Sequence, residues 1–318
     1  RAISKFWKIS GNYEKLNSEF DLNFEGNNKK NKKFIIKVMR DSCQKEFLEG
    51  QIDFLNFVSN SKSKFPIPKI CKSKNGNDFE IIKDENNNER YVWVVKKIDG
   101  VLFSDFNPKT NDLVFNLGRK VASLDLFSKS FKKDLKIPDN KWNLTNPFWI
   151  EKHFSEISDF KIKNTLIKIL NDYRKISTNL KNLKSYWMHN DLNDQNLLVN
   201  NSVKESPKIC GILDFGDLSY CPIICNIAIC SAYLLILPDV GLNKQLYFLK
   251  GYNDVNPISE FELEILYTLI MLRIAVSYVN SVVMSKKRPK DPYVIISQQD
   301  TKNFLLNMKE NKKFITAR

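Results

Sequence analysis

The sequence predicts an α+β protein of two lobes, a small N-terminal lobe built on an antiparallel sheet and a larger, mainly helical C-terminal lobe. Two observations carry this. As far as Lys97, apolar residues alternate as in strands around a single helical stretch, and after Asp99-Gly100 the pattern changes to long runs of helical period. A hinge is expected near Lys96 to Gly100, dividing the chain into residues 1–97 and 98–318 with no long linker between them. With 318 residues, 42% of them hydrophobic, the chain can bury such a core without disulfides or a structural metal.

The elements follow in order. Tyr13 to Phe24 and Phe34 to Met39 read as two strands joined by a turn starting at Gly26, and Phe34-Ile-Ile-Lys-Val has the apolar, β-branched composition of a buried strand. From Gln44 to Asn60 the residues Phe47, Leu48, Ile52, Leu55 and Val58 recur at helical spacing, and Pro66 and Pro68 prevent continuation. Phe79 to Lys83 and Tyr91 to Lys97 flank an Asn-rich turn and predict a hairpin. Beyond the hinge, residues 112–128, 148–179, 223–235 and 259–283 read as helices. Short strands are expected within 188–200 and 208–215.

Fifty Lys and Arg against 36 Asp and Glu leave a net charge of +14, which suits nucleic acid, an acidic membrane surface or a phosphate-bearing ligand. The excess is diffuse. Neither Lys29, Lys30, Lys32 and Lys33 nor Lys286, Lys287 and Arg288 is interleaved with aromatic residues, so both runs read as solvated surface and no nucleic-acid partner is expected. Residues 223–237 are apolar but shorter than a membrane span and closed by Pro238, which predicts a core helix and no membrane partner. Six cysteines and two histidines lack zinc-site spacing. Cys221, Cys225 and Cys230 lie in or beside that apolar helix and read as buried thiols, so a reduced, cytoplasmic protein is expected. No secretory leader pattern opens the chain, and because Arg1 is not Met, residues can precede it.

The chemistry is concentrated in Tyr186-Trp-Met-His-Asn-Asp-Leu-Asn-Asp-Gln-Asn and, after a turn, Ile209-Cys-Gly-Ile-Leu-Asp-Phe-Gly-Asp. Phosphoryl transfer needs a carboxylate to orient and deprotonate the attacking hydroxyl, and oxygen ligands to hold Mg²⁺ on the phosphates. His189-x-Asp191 followed by Asn196 has the spacing of a kinase catalytic loop, with Asp191 as base and Asn196 as metal ligand. Asp214-Phe215-Gly216, closing an apolar strand, matches the metal-binding turn, and its carboxylate suits a hard cation. Either motif alone is weak, since an Asp in a polar loop is commonly a turn former. Their order, with a strand lysine upstream, makes the constellation specific.

That lysine is Lys37, on Phe34-Ile-Ile-Lys-Val, where a nucleotide-phosphate contact is expected. Its predicted carboxylate partner is Glu49 on the following helix, with Glu46 in reserve. No G-x-G-x-x-G covers the phosphates. Asn17 to Phe24 takes that position, and the short side chains of Ser18 and Asn23 are candidates for the phosphate oxygens. His189 reads as an organiser of the loop, and Asp194 and Asp217 flank the metal motifs as caps or metal contacts. Arg273 interrupts an apolar helix and needs a partner, for which an internal carboxylate is preferred over a substrate carboxylate.

Together these segments resemble the aminoglycoside phosphotransferase and choline kinase superfamily, and within it are most similar to the hydroxylysine kinase-like group. The resemblance rests on Ser18-Glu-Phe-Asp-Leu-Asn-Phe24, on the loop from His189 to Asn196 and on Gly211-Ile-Leu-Asp-Phe-Gly-Asp217, and it extends to Gly251-Tyr252 and the helix around Arg273 and Ser277. It implies a bilobal protein-kinase-like fold with Asp191 as base, Asn196 and Asp214 on Mg²⁺, and Lys37 with Glu49 orienting the nucleotide. Asn190 stands where the group commonly has Gly. The expected activity is ATP- or GTP-dependent phosphorylation of a hydroxyl on a small metabolite, an amino alcohol or hydroxy amino acid. An aminoglycoside substrate is the first alternative, disfavoured because a polycation calls for an acidic cleft. A non-catalytic nucleotide- or nucleic-acid-binding module is the second.

Overall fold

The structure is a computed structural model, and it describes residues 2–18, 21–61, 65–200, 206–289 and 298–307. It has the α+β architecture expected, in two compact units. One comprises residues 1–99 with 133–138 and 210–213, and the other comprises 100–132, 139–209 and 214–318.

The first unit opens with α1 (Ala2–Trp7), followed by β1 (Glu14–Leu16), β2 (Leu22–Asn27), β3 (Lys33–Val38), α2 (Lys45–Ser59), β4 (Phe79–Lys83) and β5 (Glu89–Lys96). The strands form one antiparallel sheet in the order β1-β2-β3-β5-β4. Its core gathers Ile9, Ile36, Val92 and Val94, with Trp7, Phe24 and Val38 packed against them. α2 buries Leu48, Ile52, Leu55 and Val58, the stripe that its helical spacing predicted, together with Phe54.

Two boundaries differ from the sequence reading. Tyr13 to Phe24 holds two strands, β1 and the start of β2, which pair antiparallel, and just before β2 Asp21 accepts the Arg40 backbone N–H at 2.9 Å. The turn between β2 and β3 lies beyond Gly26, where Asn28 Oδ1 accepts the N–H groups of Lys30 and Lys32. Gly26 is inside β2, and a Cβ there would come within 2.9 Å of the Tyr13 ring.

The second unit contains β6 (Val101–Leu102), α3 (Asn111–Ser130), α4 (Phe160–Asn182), β7 (Ser185–Met188) and β8 (Leu197–Val199). The short strand β9 (Ile209–Ile212) begins in this unit, which resumes with β10 (Ser219–Pro222), α5 (Ile223–Ile236), α6 (Gly241–Asn253), α7 (Glu260–Lys287) and α8 (Gln298–Leu306). The helix expected over 148–179 is broken. A 3₁₀ segment spans Pro147–Glu156, and α4 starts afresh at Asp159, whose carboxylate caps the N–H groups of Lys161 and Ile162. α6 was not read as a helix from the sequence.

The apolar α5 is buried almost all round and packs on α7, which is long and apolar enough to cross a membrane but has its central residues, Ile265 to Val279, mostly in the protein core. α3 and α6 meet so closely that Gly118 and Gly251 are required: a Cβ would lie 2.1 Å from the Phe248 carbonyl oxygen or 2.0 Å from that of Phe115. Most important for function, β7 pairs antiparallel with β10, setting Met188 opposite Ser219. The loop that leaves β7 and the loop that enters β10 therefore start side by side.

Candidate active site

The loop from His189 to Asn196 is bent by its own sequence. Asn190 adopts a left-handed φ of 64°, a conformation that Asn tolerates better than most non-glycine residues, which accounts for Asn where the resemblance has Gly. Its backbone N–H donates to Asn226 Oδ1 at 3.2 Å. His189 is fully buried. Its Nδ1 accepts the Asp191 N–H at 3.2 Å, and its ring packs edge-on against Phe215 with centroids 4.6 Å apart. It organises the loop, as its spacing suggested. Asn193 then caps the short turn Asp194–Asn196 by accepting the N–H groups of Gln195 and Asn196.

This bend fixes the Asp191 carboxylate on both sides. Oδ2 accepts from Asn193 Nδ2 at 2.9 Å and from Asn196 Nδ2 at 2.8 Å, while Oδ1 accepts from Arg273 Nη2 at 2.8 Å. Burial raises the Asp191 pKa, the Arg273 charge lowers it, and the nearby Asp214 charge raises it again, for a net increase. A carboxylate held in one rotamer, with basicity above that of a free Asp, is suited to receive a proton from an alcohol.

Asn196 spends its amide N–H groups on the Asp191 carbonyl and carboxylate, which leaves Oδ1 as its atom for a cation. Asp214 has a left-handed φ of 54°, and its Oδ1 accepts the Gly216 N–H at 3.2 Å. Among the described residues no three His, Cys, Asp or Glu side chains cluster as a metal cage. One carboxylate and one amide oxygen fit instead a Mg²⁺ that retains waters and takes its other ligands from phosphates.

Behind the loop lies a buried polar chain. Asn226 Nδ2, on α5, donates to Asp125 Oδ1 on α3 at 2.7 Å. Asp125 Oδ2 accepts from the Tyr252 hydroxyl on α6 at 2.7 Å, and Asn256 and Lys129 continue the series. Burial raises the Asp125 pKa to about 7 against the opposing hydrogen bonds of Tyr252 and Asn226. Sequence reading missed Asp125 and Asn226, although each is a polar residue inside an apolar helical run. Arg273, 1% exposed, found an internal carboxylate, and that carboxylate belongs to Asp191.

The residues expected to hold the nucleotide lie in the first unit. Asn23 on β2 and Lys37 on β3 are cross-strand partners and so share a sheet face, and the Asn23 Oδ1 is buried without a hydrogen-bond partner. The Lys37 ammonium lies over the Trp93 ring, 5.4 Å from its centroid. Ser18, two residues beyond β1, is half-buried. Glu49, expected beside Lys37, pairs in this structure with Lys45 one turn earlier on α2 at 3.0 Å. A local i,i+4 cation satisfies it on a half-exposed helix face.

A loop that clamps one carboxylate, next to a second carboxylate on a strand-end turn and on a kinase-like fold, defines a phosphotransferase. The chain belongs to the phosphotransferase enzyme family (APH), whose model matches residues 14–247, and it is a small-molecule kinase. It is 25% identical over 262 residues to a hydroxylysine kinase of Xenopus laevis, covering 77% of this chain and 69% of the relative. It is 24% identical over 279 residues to a hydroxylysine kinase of Mus musculus, covering 83% and 73%. Among solved structures it superposes on a microcompartment-associated aminopropanol kinase with TM-score 0.76 at 16% identity, covering 99% of this chain and 98% of the other. An amicoumacin kinase in complex with AMP-PNP, Ca²⁺ and Ami gives TM-score 0.72 at 18% identity, covering 99% and 93%.

Proposed function

We propose that this kinase transfers the γ-phosphoryl group of ATP to the hydroxyl of a hydroxy amino acid or closely related amino alcohol, with hydroxylysine the first compound to test. The observation that carries the reading is the Asp191 carboxylate, immobilised through both oxygens by Asn193, Asn196 and Arg273. Asp191 takes the hydroxyl proton as the oxygen–phosphorus bond forms and the bond from the γ-phosphorus to the bridging oxygen breaks. Asn196 and Asp214 hold Mg²⁺, which when bound neutralises phosphate charge. Lys37, with Asn23 and Ser18, binds the triphosphate from the sheet. The hydroxylysine kinases among the relatives support the choice of substrate. Six free cysteines, three of them in or beside buried α5, support a reducing cytoplasmic setting.

The test is turnover of hydroxylysine, amino alcohols and aminoglycosides with ATP and Mg²⁺, on the wild-type protein and on Asp191→Asn. The expected result is phosphorylation of a hydroxy amino acid or amino alcohol and a loss of about 10²- to 10⁴-fold in kcat for the variant, with nucleotide-induced thermal stabilisation retained. Full activity in Asp191→Asn, or turnover of aminoglycosides alone, would sink the reading.

A further inference from the structure

Arg273 is connected to less than its chemistry requires. The side chain is 1% exposed, and of its guanidinium only Nη2 has acceptors: Asp191 Oδ1 at 2.8 Å and the Tyr233 hydroxyl at 3.2 Å. Nε and Nη1 are buried with no hydrogen-bond partner. A guanidinium carries five N–H donors and keeps its charge at any ordinary pH, so leaving part of its fork unpaired away from water is costly. Donors left in this state can be completed by the oxygens of a ligand.

The surroundings hold the guanidinium in place. The guanidinium carbon lies 4.6 Å from the Trp142 ring centroid and 5.3 Å from that of Tyr233, so two aromatic rings fix its plane. The Lys141 ammonium lies over the same indole, 4.7 Å from the centroid, and donates to Asn280 on α7. Tyr233 is itself held to Ser277, one turn beyond Arg273. Two cations thus flank one indole among the Asp191, Asp214 and Asp217 carboxylates, and the guanidinium donors still without an acceptor are Nε and Nη1, each able to donate to one anionic oxygen.

The geometry points to Arg273, steadied by Trp142 and Tyr233, as the receptor for a carboxylate on the substrate. This rests on the reading of Asp191 as the base, because it puts the anionic end of the substrate within one side chain of the reacting hydroxyl. The acceptor is then a hydroxy acid rather than a simple amino alcohol, and Arg273 makes that distinction. Planar donors fixed in this way match a carboxylate better than a lysine ammonium would.

Two measurements test this. In the first, kcat/KM is compared for hydroxylysine and for its carboxamide, which keeps the hydroxyl and the amines but lacks the negative charge. The wild-type enzyme is expected to prefer the acid by about 10²-fold, and in Arg273→Met and Arg273→Lys this preference collapses towards unity even though both rates fall. A residue that only orients Asp191 would lower both rates and leave the ratio intact, which would overturn the proposal, as would equal wild-type use of acid and amide. In the second, calorimetric titration with lysine and with cadaverine, neither of which has a hydroxyl, reads carboxylate recognition without phosphoryl transfer. Lysine is expected to bind at least about tenfold more tightly to the wild type and to lose that advantage in Arg273→Met, with circular dichroism verifying the fold. Equal binding of the two diamines overturns the inference but leaves the kinase reading standing. Failure to phosphorylate any hydroxyl compound, with the lysine preference intact, does the reverse.

Discussion

Asn226 Nδ2 donates to Asp125 Oδ1 at 2.7 Å while Asn226 Oδ1 accepts the backbone N–H of Asn190, so an acidic side chain on α3 sets the position of the residue preceding Asp191. The Asp125 carboxyl faces Tyr252 from α6 and Asn226 from α5, with Lys129 on its own helix, and the thiols of Cys221 and Cys230 lie within reach of its charge. Its pKa in the folded protein is raised to about 7, whereas the unfolded chain titrates at about 4. Between these values the folded state binds more protons than the unfolded one, so this group makes stability fall as pH rises from about 4 to about 7, by at most about 1.4 kcal/mol per pH unit. Outside that window its contribution is flat. Urea denaturation of wild type and Asp125→Asn across this range should give a difference in stability that changes with pH in that direction, and parallel profiles would refute it.

Asn190 combines a φ of 64° with a fully buried side chain whose Oδ1 and Nδ2 lack hydrogen-bond partners. Asn190→Gly removes the orphaned amide and suits the backbone, so it should keep stability within about 1 kcal/mol of wild type or raise it, and retain turnover. Asn190→Val demands a left-handed β-branched residue and should cost about 2 kcal/mol or more, with a fall in kcat from a displaced Asp191. Thermal melts and steady-state rates separate the two, and a Val variant as stable as the Gly variant would show that the backbone strain is immaterial.

How much of the site could be read in advance follows from sequence distance. His189, Asp191 and Asn196 occupy one contiguous loop, so spacing alone could single them out as candidates. The stripe on α2 was equally plain because burial repeats each turn. Arg273 was recognised as a buried charge in need of a partner, but 82 residues separate it from Asp191, and nothing local names a partner across that gap. Asp125 and Asn226 are 101 residues apart and were missed for the same reason. The break between the 3₁₀ segment and α4 depends on Asp159 as a cap, a single-residue signal inside an otherwise continuous helical pattern. The sequence reading looked for a partner of Glu49 on another element and did not consider Lys45, one turn away on the same helix.

The pairing of Glu49 with Lys45 separates two variants. Glu49 forms a half-exposed i,i+4 pair with Lys45, a type of interaction that contributes only a few tenths of a kcal/mol. Glu49→Gln should leave the nucleotide KM and kcat within about twofold of wild type, since little rests on the pair. Lys37→Met should lower kcat/KM for ATP by about 10²-fold, because the ammonium opposite Asn23 is the cation proposed for the phosphates. Steady-state kinetics in ATP at saturating acceptor reads both. A loss in Glu49→Gln comparable with that in Lys37→Met would restore the pairing that the sequence suggested.

The crossing of α3 and α6 is the mechanical support of the Asp125 chain, and it depends on two absent side chains. A Cβ at Gly251 would sit 2.0 Å from the Phe115 carbonyl oxygen and 2.8 Å from its carbon, both backbone atoms that cannot rotate away. Gly251→Ala therefore forces the helices apart, at a cost of about 3 kcal/mol and roughly 5–10 °C in Tm. Because Tyr252 follows directly and holds Asp125 Oδ2 at 2.7 Å, the same displacement loosens the hydrogen bond that supports Asn226 and, through it, the Asn190 N–H. Turnover should consequently fall more than nucleotide affinity, as measured by kcat against the ATP-induced shift in Tm. A Gly251→Ala protein with wild-type Tm and kcat would mean that the two helices accommodate a methyl group and that the loop is held by other contacts.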